Sequence, residues 1–82
     1  MRQEMNYELA AIGNNIRRLR KQKGFAQEAL AEAIDVSCMT ISRIENGTAA
    51  MNILNLKKIA QVLDATTDEI LETQEPKIQQ IC

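Results

Sequence analysis

The sequence predicts an all-α domain of five short helices. Three observations carry that reading: apolar residues recur at three- and four-residue spacing, plausible helix caps stand between the recurrences, and three Gly with one Pro in 82 residues are too few for a turn-rich β fold. A chain of this length has room for one core. Residues 1–75 are expected to form that domain, with 8–72 as its centre and 76–82 as a short tail.

The elements follow in order. Ile12, Ile16 and Leu19 fall at i, i+4 and i+7, while Arg17, Arg18, Arg20 and Lys21 fill the other faces until Gly24 stops the pattern. This is an amphipathic first helix of about four turns. Ala29, Leu30, Ala33 and Ile34 then repeat over a shorter stretch before Asp35-Val36-Ser37 interrupts them. Ser37 reads as the N-cap of a third helix, which carries Ile41 and Ile44 inward and ends at Asn46-Gly47, where Gly can take the left-handed conformation. Asn52 reads as the next cap, followed by Leu56, Ile59, Ala60 and Leu63 as the buried stripe of a fourth helix. Thr66 and Glu69 have the spacing of a capping box and open a short fifth helix around Ile70 and Leu71, with Pro76 as its latest end.

Composition excludes several functions. The chain has no His, and its two Cys lie too far apart to form a metal-ligand pair, so neither a metal, a cofactor nor an enzymatic acid-base or nucleophile set is expected. No apolar run approaches the roughly 18 residues of a membrane span, and an N-terminus carrying Glu4 and Glu8 lacks the order of a secretion signal. A cytoplasmic protein with reduced thiols is expected. Tyr7 and Phe25 are the only aromatic residues, which leaves no stacking platform for single-stranded nucleic acid. A net charge of -1 argues against a general polyanion binder, but the charges are unevenly placed. Residues 1–25 carry six cations against two anions and residues 48–63 two cations against none, whereas 26–47 and 64–82 are acidic. Near-neutrality therefore describes a polarised chain.

The informative feature is the pair 27–34 and 37–46, joined by a turn too tight for antiparallel packing. A helix-turn-helix meets that constraint by crossing its helices at a large angle, which leaves the second one projecting. The segment Gln27-Glu28-Ala29-Leu30-Ala31-Glu32-Ala33-Ile34-Asp35-Val36-Ser37, continued by Thr40-Ile41-Ser42-Arg43-Ile44-Glu45-Asn46-Gly47, resembles the Cro and phage-repressor (XRE-like) helix-turn-helix family. The resemblance runs from Ile12 to Leu71. It includes Ile12-Gly13, Leu19-Arg20 with Lys23-Gly24, and the Leu56, Ile59-Ala60, Leu63 and Asp68-Glu69-Ile70-Leu71 finish.

What the resemblance implies is a lambda-repressor-like DNA-binding domain whose helix 38–46 lies in the major groove. With Ile41 and Ile44 facing the core, Cys38, Met39, Ser42 and Arg43 are the expected base contacts: Arg43 can donate bidentate to guanine, Ser42 can pair with several base edges, and Met39 or Cys38 can meet a thymine methyl. Gln27, Ser37, Thr40, Asn46, Thr48 and Arg20 are the expected phosphate contacts. Arg20 and Glu45 match a family ion pair that ties the reading helix to the scaffold. Cys38 is read as a small contact residue in preference to a redox switch, since no second Cys lies near it in sequence.

Some positions depart from the family pattern. Ala26 and Ala29 replace both halves of the capping box that opens the second helix, Asp35 and Asp64 stand where Gly is usual, and Thr48-Ala49-Ala50 replaces a basic loop. The function implied is a sequence-specific transcriptional regulator, a repressor by type, binding an inverted-repeat operator as a homodimer at the bacterial or phage nucleoid. Ile70, Ile78 and Ile81 are candidates for the dimer seam, although Ile70 also suits the monomer core. Two other readings stand beside it: an antitoxin-like protein that sequesters a toxin, and a protein-interaction module on the same fold.

Overall fold

The computed structural model describes residues 7–72. It contains α1 (Tyr7–Gln22), α2 (Gln27–Ile34), α3 (Cys38–Glu45), α4 (Ile53–Leu63) and α5 (Thr67–Leu71), in the order and number that the apolar spacing predicts. Ile78, Ile81 and the tail 76–82 lie outside the described residues.

The predicted caps form. Ser37 Oγ accepts from the Thr40 amide and Asn52 Oδ1 from the Asn55 amide, each satisfying a backbone N–H that the helix start leaves without a partner. Thr66 and Glu69 make both bonds of the capping box. Asp35 and Asp64 take the left-handed conformation at the ends of α2 and α4, with φ of 64° and 55°. Ala26 sits at the N-cap of α2 in extended conformation, with no side-chain bond to the helix.

α1 packs on α3 and α5, α2 on α3 and α4, and α4 on α5. Their shared core is aliphatic: Ile16, Leu30, Ile34, Ile41, Ile59, Leu63 and Ile70 are fully buried. The structure corrects two expectations here. In α2 the buried alanine is Ala31, and Ala29 and Ala33 are exposed. Leu30 and Ile34 anchor either arc, and an alanine carries too little apolar surface to decide which side of them turns inward. Of the two roles open to Ile70, burial bears out the monomer core and discards the dimer seam.

Two close approaches fix how α1 lies against the reading helix. A Cβ at Gly13 would collide with the backbone carbonyl oxygens of Ile44 and Glu45, and one at Gly47 would reach the Ala10 backbone at 2.6 Å. Gly47 also has φ of 77°. Only glycine lets α1 come this close to the C-terminal end of α3. At the other face of α1, the Asn15 amide donates to the carbonyls of Ile70 and Glu72, satisfying the end of α5.

Candidate nucleic-acid interface

α3 presents three sectors around its axis. Ile41, Ile44 and Glu45 point into the domain. Met39, 61% exposed, and the exposed Arg43 lie on the opposite side, and Asn46, the C-cap that follows the helix, is exposed at its end. Ser42 and Thr40 occupy the flanks and are half-buried. Cys38 is different from the expectation: it packs half-buried against the core cluster and does not share the outward sector of Met39 and Arg43. The sequence carried that signal. Cys38 lies three residues before Ile41 and seven before Glu45, so it falls nearest the inward arc.

The buried end of this helix is held by charge. The Glu45 carboxylate, with its side chain at 0% exposure, accepts from Arg20 Nε at 2.6 Å and Arg20 Nη2 at 3.0 Å. It accepts from Gln27 Nε2 at 3.0 Å as well, and Arg17 Nε stands 3.6 Å away. One carboxylate thus binds α1, α2 and α3 together. Burial alone would raise its pKa, but the hydrogen bonds from Arg20 and Gln27 and the charges of Arg20 and Arg17 outweigh burial and hold it below its ordinary 4.5. The hydrogen bond to Glu45 raises the pKa of Arg20, against a smaller opposing effect of burial.

Several residues expected at phosphates are engaged within the domain. Arg20 is buried, and its third nitrogen, Nη1, donates to the Phe25 carbonyl at 2.8 Å, so all three of its nitrogens are engaged inside the domain. Gln27 opens α2 with its amide already oriented by Glu45, because a carboxylate accepts only from the nitrogen side. The hydroxyl of Thr48 donates to the Arg43 carbonyl at 3.2 Å, which uses its only proton to close the end of α3. Ser37 is an N-cap and its hydroxyl lies 2.9 Å from that of Thr40, so the two act as a pair at the start of α3. Asn46 remains exposed at the other end. Sequence reasoning missed Arg17, whose Nη2 donates to Asn46 Oδ1 at 2.8 Å. The four-residue step from Gly13 to Arg17 along α1 was the available clue, since it places Arg17 one turn beyond the close contact with α3.

A second surface is apolar. Ile53 is 82% exposed, Leu54 57% and Leu71 43%, and Ile53 and Leu71 line a groove together with Leu9, Ile12 and Leu56. Among the described residues no helix is long and apolar enough to cross a membrane, and no group of side chains could hold a metal ion.

Comparison with known proteins agrees with this geometry. Control protein C.MunI of Mycoplasma sp is 37% identical over 67 residues, covering 80% of this chain and 90% of that protein. The restriction-modification controller protein C.AhdI from Aeromonas hydrophila superposes with a TM-score of 0.76 at 29% identity, over 79% of this chain and 98% of its own. SinR, described as the master regulator for biofilm formation and solved in complex with DNA, gives a TM-score of 0.69 at 35% identity, over 74% and 98% of the two chains. The helix-turn-helix family pattern matches residues 16–70, and on that match the chain belongs to the helix-turn-helix family.

Proposed function

We propose that this DNA-binding transcriptional regulator reads an inverted repeat in duplex DNA as a symmetric homodimer, with α3 of each protomer in the major groove. The observation that carries the reading is the outward pair Met39 and Arg43 on a helix whose opposite side is anchored by Ile41, Ile44 and the buried Arg20–Glu45 pair. A reading helix has to be rigid, because each base contact depends on sub-ångström placement of its donor. Arg43 and Met39 are its base contacts, with Ser42 on the flank, and Cys38 contributes through its exposed edge at the first turn. Gln27, the Ser37–Thr40 pair and Asn46 are its phosphate contacts, with the Thr48 backbone region closing the row.

Dimerisation rests on the apolar surface. Ile53 and Leu71 leave hydrocarbon exposed beside one groove, and a second copy covers that face under a two-fold axis. One domain reads only a few base pairs, so pairing also supplies specificity that a single α3 lacks. Selection of bound duplexes from a random library tests the whole reading. Two inverted half-sites with centres about one helical turn apart are expected. Enrichment of a single half-site would remove the dimer, and no enrichment at low salt would remove DNA reading.

A further inference from the structure

We infer that Arg17 and Asn46 together form a clamp for a DNA backbone phosphate, adding a contact from α1 to those made by the helix-turn-helix; this rests on the DNA-binding reading above. Arg17 lies half-buried on the side of α1 that faces α3, on the rim of a shallow concavity lined also by Tyr7, Ala10, Asn14 and Asn46. Its Nη2 donates to Asn46 Oδ1 at 2.8 Å and its Nε lies 3.6 Å from Glu45 Oε1.

The chemistry of that bond sets the orientation of both groups. A guanidinium has no acceptor, so Asn46 must turn its oxygen toward Arg17, which sends its NH2 group the other way as a donor. Glu45, itself immobilised by Arg20 and Gln27, holds the Nε edge of Arg17. The remaining N–H groups of Nη1 and Nη2 belong to a side chain that is 37% exposed. An exposed amide NH2 and a partly exposed cation, locked to each other beside the C-terminal end of α3, suit an anion that accepts from several donors at once. A phosphodiester is that anion.

The same carboxylate therefore orients two phosphate-facing groups. It holds Gln27 on α2 directly and Asn46 through Arg17, so the spacing between the two backbone contacts is built into the fold. Arg18 provides the control. It is exposed one residue further along α1, about 100° around the axis, and bonds to Asn15 on the α5 side at 3.4 Å.

The test is the salt dependence of binding to a fixed 30-base-pair duplex of arbitrary sequence, measured with wild type, Arg17→Gln, Arg18→Gln, Asn46→Ala and Arg17→Lys, each with a thermal melt by circular dichroism. Arg17→Gln is expected to flatten the plot of log affinity against log salt by about 1 per protomer, whereas Arg18→Gln leaves it near wild type. Asn46→Ala, which leaves α3 intact, is expected to weaken binding, and adding it to Arg17→Gln should cost little more because the two share one contact. Arg17→Lys should restore the slope but not the full affinity, since an ammonium keeps the charge and loses the planar fork. An unchanged slope in Arg17→Gln, or an equal change in Arg18→Gln, overturns the clamp while DNA binding stands. Wild type failing to bind the duplex even at low salt overturns both.

Discussion

Glu45 carries its charge where water is excluded, and the consequences are set by its partners. Replacing it with Ala would leave the Arg20 guanidinium buried without a counter-charge, and the expected loss is about 3–5 kcal/mol by urea denaturation. The pH dependence follows from the direction of the shift. A carboxyl whose folded pKa is depressed contributes stability above its unfolded value, here about 4.5, and loses that contribution as pH falls through the folded value. The stability gap between wild type and Glu45→Gln is therefore expected to be largest near neutral pH and to narrow as the pH falls below about 4.5. A gap that stays constant over that range would show that the carboxylate charge contributes nothing. The sequence suggested the Arg20–Glu45 pair through a resemblance. It did not suggest that Gln27 and Arg17 converge on the same oxygen, because three residues on two other helices meet there only after α1 and α2 have docked.

Among the elements, α2 is the weakest in local design. It is eight residues long, and Ala26 offers no oxygen to the amides of its first turn, unlike Ser37, Asn52 and Thr66 at the starts of α3, α4 and α5. An isolated helix this short is marginal, so α2 relies on Leu30, Ala31 and Ile34 packing into the core. Ala26→Thr is expected to stabilise the protein by about 0.5–2 kcal/mol in a thermal melt, with DNA affinity kept if Gln27 retains its bond to Glu45. The caps and termini were legible in the sequence because they are local: a polar residue three before its target amide needs no knowledge of the rest of the fold. Which arc of α2 faces inward was not, because Ala29, Ala31 and Ala33 differ only in position, and packing against α3 and α4 selects among them.

At the scale of the whole molecule, two surfaces divide the work. The outward side of α3 is polar with one exposed methionine, and the apolar face around Ile53 and Leu71 is formed by residues from α4 and α5 beside the groove from α1. Ile53→Asp is expected to shift the protein to a monomer in sedimentation and to weaken binding to an inverted repeat, with its helical content unchanged. A variant that still sediments as wild type would remove the proposed dimer contact from this face. The uneven charge acquires a location as well. Arg17 stands beside Asn46 and Glu45, Arg20 is consumed in the interior, and Lys23 comes within 4.0 Å of the exposed Asp64, so part of the positive charge of segment 1–25 is engaged inside the domain or with its own acids.

By itself the sequence determined the class of fold, the number of helices, most of their caps and the outward placement of Met39 and Arg43. These depend on periodicity and on contacts within one turn of helix, which a one-dimensional pattern records in full. Only the tertiary structure decided that Ala31 and not Ala29 or Ala33 faces the core, that all three nitrogens of Arg20 are engaged inside the domain, and that Arg17 stands beside Asn46. The last two outcomes turn on how closely α1 approaches α3. That distance is set by the glycines at 13 and 47, whose missing side chains have their effect only when another helix arrives against them.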